Sequence, residues 1–400
     1  MNILFIHEID WLRKVVIDFH WLAESMSLLG HRVYVLYYES MWGLNGLEAP
    51  KRAVVTRALP NARVELICPR FIKMPILSRV SAFATHYFGI KKVIGENEID
   101  AIVLYSVPTN GLQTVHWAKH FNIPIVFRSI DVLNQLVPYS ILRPITKFLE
   151  KKVYSSVDRI LTITPKLSEY VVRMGADPNK VGILPVPVDT NLFFPSDDTS
   201  GLRKEWGIGD DDKVVLYMGT LFNFSGLDGF IPKFKHVINE FSNVKLLIVG
   251  DGEQRQGLES IIITADLQKS VTITGFQPYQ DLPRYINMAD VCVNPFVIND
   301  ATRDIFPGKT VQILACGKPL VMRPLDGVKA IIAGEGQGVV YANDDSKMAL
   351  EVLSLLKSDE RRKKLGQNGL EYVKQNHDCR QVAKQLESVL VDLVGRKVVG

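Results

Sequence analysis

With 400 residues, 47% of them apolar, and ordinary Gly and Pro usage, the chain exceeds what one core usually holds and predicts about two domains. Its formal net charge of +4 is spread along the sequence, which excludes a dedicated nucleic-acid binder, since phosphate neutralisation needs clustered cations. Cys68, Cys292, Cys316 and Cys379 stand too far apart for a zinc site or a secreted disulfide scaffold and read as reduced packing residues.

Short apolar runs alternate with longer amphipathic segments, the rhythm of βα repeats around parallel sheets. The first half predicts strands at NILFIH, RVYVLYY, RVELICP, AIVLYS, PIVFRS, RILTIT and VGILPVPV, mostly continuous apolar runs, as expected when helices cover both sheet faces. A helix is predicted over Val15 to Leu29, ended by Gly30. VPVDTNLFFPSDDTSG, around Val186 to Ser200, has a linker composition, and the rhythm restarts after it with VVLYMG, VKLLIVG, VTITGF, VCVNPF, PLVM and GVVYA. Three helical segments come after Asp344, the last with no strand behind it to cover. The expected organisation is an α/β chain with a doubly wound domain over 1–190, a second over 191–378, and a terminal helix over 379–400 packing back on the first. No apolar stretch of 18 residues is present, and MNILFIHEIDWLRK does not resemble a signal peptide, so a cytoplasmic protein is expected.

In open parallel sheets, ligands bind beyond the carboxyl ends of the strands. Three turns of the second half meet that condition. YMGTLFNFSGLD offers Gly219, Thr220 and Ser225, with backbone N–H groups for an anion or glycines for tight turning. LLIVGDGEQ offers Asp251, with an N-cap as its structural alternative, and VTITGFQPYQDLP offers the backbone of Gly275 and Phe276 for a flat ring. DIFPGKTVQILACGKPL is more specific, because Pro307 suits a first helical position, Lys309 falls in the first turn, and Gln312 shares its face. A lysine at a helix start opposes the helix dipole; an anion would account for it, whereas its bland reading is a solvated cation. A diphosphate is therefore expected at Lys309, with Asp304 and Gln312 reading hydroxyls.

Taken in order, GTL…GLD, LLIVGDG, TGFQPYQDLPRYINMADVCVNP and FPGKTVQILACGKPLV resemble the retaining, nucleotide-sugar-dependent glycosyltransferases of family 4. The resemblance implies the GT-B fold, two Rossmann-like domains facing an interdomain cleft, and extends through RILTIT and VGILPVPVD to nearly the whole chain. The family carries two Glu residues separated by seven positions across this helix start, for the donor sugar and the ribose. Asp304 and Gln312 occupy those positions. Thr220 and Ser225 stand where the family often has a diphosphate-binding Arg and Lys, which shifts that duty onto Lys309, the helix start and Arg303. Ile130 and Asp131 stand where it often has a His-Asp pair, and HEIDWLRK, with His7, Glu8, Asp10 and Arg13, replaces its glycine-rich first loop.

The activity implied by the resemblance is transfer of a sugar from a nucleotide-diphosphate donor to a hydroxyl of a lipid-linked or polysaccharide (glycan) acceptor, with retained anomeric configuration. Neither metal nor other cofactor is expected. Catalysis falls to Asp304 and Lys309, with Asp131 on the acceptor side. RFIKMPILSRVSAFATHYFGIKKVIG mixes Arg70, Lys73, Arg79, Lys91 and Lys92 with large apolar residues. It reads either as an interfacial helix serving a lipid-linked acceptor or as a helix packed on its sheet with its cations in water. A binding or regulatory subunit that has lost catalysis, and a nucleotide-sugar 2-epimerase, are the alternatives on the same fold.

Overall fold

Residues 1–187 with 379–400 form one unit, and residues 188–378 the other. The computed structural model describes residues 1–13, 15–38, 51–74, 77–135, 137 and 140–399.

The first unit contains β1 (Asn2–Ile6), α1 (Asp18–Leu28), β2 (Arg32–Leu36), β3 (Lys51–Val55), β4 (Val64–Cys68), α2 (Leu77–Asn97), β5 (Ala101–Leu104) and α3 (Gly111–His120). It continues through β6 (Ile125–Ser129), α4 (Arg143–Tyr154), β7 (Arg159–Thr162), α5 (Pro165–Arg173) and β8 (Val181–Ile183). The second unit contains α6 (Ser200–Glu205), β9 (Lys213–Met218), α7 (Leu227–Glu240), β10 (Val244–Val249), α8 (Arg255–Thr264), β11 (Val271–Gly275), α9 (Leu282–Met288) and β12 (Val291–Asn294). It closes with α10 (Lys309–Ala315), β13 (Leu320–Met322), α11 (Asp326–Lys329), β14 (Val339–Tyr341), α12 (Asp345–Leu356) and α13 (Asp359–Asn376), after which α14 (Cys379–Val399) returns to the first unit.

The strand order of the first unit is β3-β4-β2-β1-β5-β6-β7-β8, parallel except for β3, which runs antiparallel to β4. Strand pleating sends successive side chains to opposite faces. Ile3 and Phe5 of β1 join one buried cluster and Leu4 and Ile6 the other, so the sheet is covered on both sides. The first cluster is closed by Phe19, Leu22, Ala23 and Met26 of α1 and by Val382, Ala383, Leu386 and Leu390 of α14, apolar positions at helical spacing. The order reverses between β1 and β5, whose loops are tied together: the buried Glu8 carboxylate accepts the Thr109 and Asn110 amides at 2.6 and 2.9 Å and Arg79 Nη1 at 2.8 Å.

The second unit is a wholly parallel sheet of order β11-β10-β9-β12-β13-β14. Two of its helices begin where side chains accept otherwise unpaired amides: Asp344 takes the Lys347 N–H at 2.7 Å and Ser358 that of Arg361 at 3.2 Å. Here the order reverses between β9 and β12. Ligands of open α/β sheets bind beside such reversals, so the loops after β9 and β12 are where chemistry is expected.

Candidate functional site

The two loops at this reversal touch through glycine. Gly226 caps α7 at φ +69, where an added Cβ would lie 2.0 Å from the Pro295 carbonyl oxygen, and Val297 N donates to Phe224 O at 2.9 Å nearby. Gly219 and Gly250 have φ of +141 and +152, and a Cβ on Gly250 would meet Gly219 O at 2.0 Å. Tight backbone approach, carried by Gly219 N to Val249 O and Leu221 N to Asp251 O at 2.9 Å each, thus explains these glycines structurally. Gly250→Ala is expected to destabilise the second unit by about 2 kcal/mol or more, measurable by urea unfolding, because carbonyl and methyl cannot share that space and the new side chain disfavours this φ.

Lys309 is the first residue of α10, behind Gly308 as N-cap, so the helix begins two residues later than Pro307 suggests. As a residue it is half-buried, but its ammonium nitrogen is fully buried and has no hydrogen-bond partner. Nζ lies 4.1 Å from the centre of the Tyr217 ring and 4.2 Å from that of Phe296, and about where a Cβ of Gly219 would touch it. The reading of a solvated cation is therefore overturned. The rings attract a cation but offer none of the lone pairs its three N–H donors require, and burial pulls its pKa well below the ordinary lysine value. Tyr217 is held by its own hydroxyl, which donates to Thr220 O at 3.3 Å, and Phe296 meets Phe224 edge-on at 5.4 Å.

Gln312 lies one turn along α10, half-buried, and its Nε2 donates to the Tyr279 hydroxyl at 3.3 Å. Asp304 is half-buried in the loop before the helix. That loop is braced from behind: Gly327 N donates to Arg303 O at 3.0 Å, and a Cβ on Gly327 would strike Asp304 O. Ser225 is buried and Thr220 half-buried in the loop after β9. Asp251 is not an N-cap, since α8 starts at Arg255 behind Gln254. Its carboxylate instead accepts Gly252 N and Arg255 Nη1 at 2.8 Å each, contacts that lower its pKa, the amide first. Gly275, at φ +76, brings the chain back beside that pair, and Phe276 after it is 61% exposed.

In the first unit Asp131 is half-buried just past β6, and Ile130 packs against the core. Most of the HEIDWLRK side chains serve the fold. Asp10 accepts the Leu12 and Arg13 amides at 3.0 and 3.1 Å, Glu8 spans the strand reversal as above, and the His7 ring packs on Phe19 and Tyr105. Lys14 lies outside the described residues. Of the cations in 70–95, Lys73 is buried, Arg79 binds Glu8 and covers the Tyr38 ring at 4.5 Å, and Lys91 sits 4.9 Å from the Trp117 ring centre. Among the described residues, no helix is long and apolar enough to cross a membrane, and no group of three or more His, Cys, Asp or Glu could hold a metal ion.

The structure adds residues that sequence reasoning passed over. Tyr217 and Phe296 enclose the ammonium, and Tyr279 meets Gln312. Asn294, at the end of β12, and Thr310, in the first turn of α10, are fully buried with side-chain polar atoms that lack partners. An Asn inside the apolar run VCVNPF was a visible signal, since a buried amide without a partner is costly.

Residues 15–187 match the family model described as "Glycosyl transferase 4-like domain", and residues 198–372 match "Glycosyl transferases group 1". The chain is 26% identical over 228 residues to the D-inositol 3-phosphate glycosyltransferase of Segniliparus rotundus, covering 55% of this chain and 49% of that protein. It is 20% identical over 397 residues to the alpha-monoglucosyldiacylglycerol synthase of Acholeplasma laidlawii, covering 94% and 92%. The chain spans about half to three-fifths of the length of the first curated relatives it matches. Among solved structures, sucrose-phosphate synthase from Thermosynechococcus elongatus superposes with a TM-score of 0.77 at 18% identity over 99% of both chains. HepE of Anabaena in complex with UDP-glucose gives 0.73 at 16% identity, covering 98% of this chain and 100% of that one. At these identities the structural likeness establishes the fold.

Proposed function

Because this chain belongs to the glycosyltransferases of GT-B fold, we propose that it moves a hexose from a nucleotide-diphosphate sugar to an acceptor hydroxyl with retention of configuration. The observation that carries this reading is the Lys309 ammonium, buried at the sheet reversal with three N–H donors and no acceptor. A diphosphate supplies the missing oxygens. The family's cationic side chains are absent at Thr220 and Ser225, so Lys309 and the amides around it carry the neutralisation.

In this reading the glycosidic C–O bond to the diphosphate breaks as the bond to the acceptor oxygen forms on the same face. The acceptor proton passes to a departing phosphate oxygen, and the negative charge left on the diphosphate is met by Lys309. Transfer is metal-independent. Asp304 accepts donor-sugar hydroxyls, Gln312 a ribose hydroxyl, the backbone at Gly275 and Phe276 faces the base, and Asp131 contacts the acceptor. Asp251, turned to Gly252 and Arg255, holds the turn beside the base. The solved relative that holds UDP-glucose makes UDP the first nucleotide to test. An alpha-monoglucosyldiacylglycerol synthase among the relatives favours a lipid-linked acceptor, reached by peripheral contact at the cytoplasmic membrane face.

A thermal-shift series with UDP, GDP, ADP and their sugar conjugates tests this, since a ligand that binds only the native state raises its melting point. One nucleotide diphosphate is expected to stabilise the protein, and its sugar conjugate to be consumed only when an acceptor is added. No shift with any of them overturns the reading, binding without consumption assigns a regulatory subunit, and donor conversion without acceptor assigns an epimerase. Gln312→Glu is expected to tighten binding of that diphosphate by roughly threefold to tenfold, because a carboxylate makes charge-assisted bonds to ribose hydroxyls, and it can accept from the Tyr279 hydroxyl in place of the bond Gln312 Nε2 now donates to it. Weaker binding in that variant contradicts the role given to Gln312.

A further inference from the structure

On α4 and the turn before it, the first unit leaves a row of apolar residues in water. Ile141 is 82% exposed, Ile145 58% and Phe148 57%, and with Lys152 they succeed one another at spacings of four, three and four, a single line along the helix. Leu142 widens the strip at 43% exposure. Single exposed apolar residues are ordinary, but an uninterrupted line of them on one helix face marks a surface that something covers.

The exposed charges on this helix are all positive. Arg143, Lys147, Lys151 and Lys152 are all exposed, and no carboxylate among the described residues pairs with any of them. The acidic residue of α4, Glu150, is buried, and its oxygens take Asn134 Nδ2, the Tyr170 hydroxyl and the Tyr154 hydroxyl at 2.7, 2.9 and 3.3 Å, so it is not available to those cations. Lys152 Nζ stands 5.7 Å from the Phe148 ring centre, so cation and ring sit together at the end of the line. The contrast with α2 is instructive. Leu77, Val80, Phe83 and Phe88 are exposed there too, but Arg79 and Lys91 are engaged within the fold.

We propose that this face of α4 seats the first unit on an anionic lipid surface, with Ile141, Ile145 and Phe148 entering the headgroup boundary and Lys152, flanked by Lys151 and Lys147, meeting lipid phosphates. It rests on the lipid-linked acceptor reading for its purpose, though not for its chemistry. A bilayer interface offers anionic headgroups and an apolar layer within one side-chain length, and a helix of this kind lies in its plane. Nucleic acid supplies only the charge. A second copy of the chain would bring the same cations against themselves, which is repulsive.

Co-sedimentation of the full chain with phosphatidylglycerol-containing vesicles and with pure phosphatidylcholine vesicles, at low and high salt, tests this. The protein is expected to pellet with the anionic vesicles and to be released by salt. Ile145→Glu/Phe148→Glu and Lys147→Glu/Lys151→Glu should each lower partitioning at least about tenfold, while Val80→Glu/Phe83→Glu on α2 changes it by less than about twofold. The substituted side chains are exposed, so thermal unfolding and any UDP-induced shift should stay as in the parent, which separates this proposal from the donor site. Absence of vesicle binding, equal binding by all variants, or loss confined to the α2 pair overturns it. A concentration-dependent doubling of mass that Phe148→Glu abolishes overturns it too, and assigns the face to a second copy.

Discussion

Lys309→Met should yield a protein that is more stable than its parent and nearly inactive. Methionine fills the same space between Tyr217 and Phe296 without asking for hydrogen bonds, whereas the native ammonium is buried there with none. Burying an unsatisfied polar group costs about 1–3 kcal/mol, so unfolding free energy at neutral pH should rise by about that amount, less what the two rings return by attracting the cation. The effect depends on pH with a definite sign. Burial depresses the lysine pKa in the folded state, so between that depressed value and the ordinary lysine value the unfolded chain binds more protons than the folded one. Stability of the parent therefore climbs as pH rises toward the unfolded lysine value, and the advantage of the variant shrinks with it. Turnover moves the other way. Loss of the charge that meets the departing diphosphate should lower kcat/KM at least roughly tenfold, about 1.4 kcal/mol of barrier. A group that costs stability and supports function is what a preorganised binding site predicts. Destabilisation together with unchanged turnover would mean that Lys309 is a packing residue.

Arg128→Met carries the largest expected loss of stability. Arg128, 1% exposed on β6, donates through Nε and Nη2 to both carboxylate oxygens of Asp18 at 3.2 and 2.6 Å, and through its other N–H groups to the carbonyls of Thr162, Leu184 and Pro185. One side chain thereby ties the start of α1 to the ends of β6 and β7 and to the chain leaving β8. The Tyr105 hydroxyl completes the cluster by donating to Asp18 at 2.9 Å, and burial beside that carboxylate raises the tyrosine pKa well above its usual value. Removing the guanidinium leaves Asp18 buried with one hydroxyl for company and the Leu184 and Pro185 carbonyls short of that donor, while Thr162 O keeps the Leu184 N–H. Breaking a buried pair in this way costs about 3–5 kcal/mol, roughly 10 °C in melting temperature for a unit of this size. Replacing both partners, as in Asp18→Leu/Arg128→Met, should recover a large part of the loss, because no uncompensated charge remains. A double variant as unstable as the single one would show that the carbonyl contacts, not the ion pair, carry the energy.

The strands were legible because both faces of each sheet are covered, which turns a strand into a continuous apolar run. Every parallel strand overlaps a predicted segment. The strand that escaped, β3, is the antiparallel edge, and KRAVV carries two cations and too short an apolar run to announce itself. The GT-B fold was readable from the order of the second-half motifs rather than from any one of them. At the site, the position of Lys309 near a helix start could be read from FPGKT, but its enclosure could not. The rings that enclose it come from β9 and from the loop after β12, and only the reversal of strand order brings them together. The loop after β1 misled for a related reason. Glu8 and Asp10 look like free loop polars in sequence, and both are consumed by backbone amides that become neighbours only in the folded sheet.

The central claim is that one ammonium group at a sheet reversal recognises the phosphates, not the base, of a nucleotide. Calorimetric titration of UDP and of uridine into the parent and Lys309→Met tests it most directly. UDP affinity should fall at least about tenfold in the variant while uridine affinity stays within about twofold. If UDP binds both proteins equally, or if uridine weakens as much as UDP, the lysine does not hold the diphosphate.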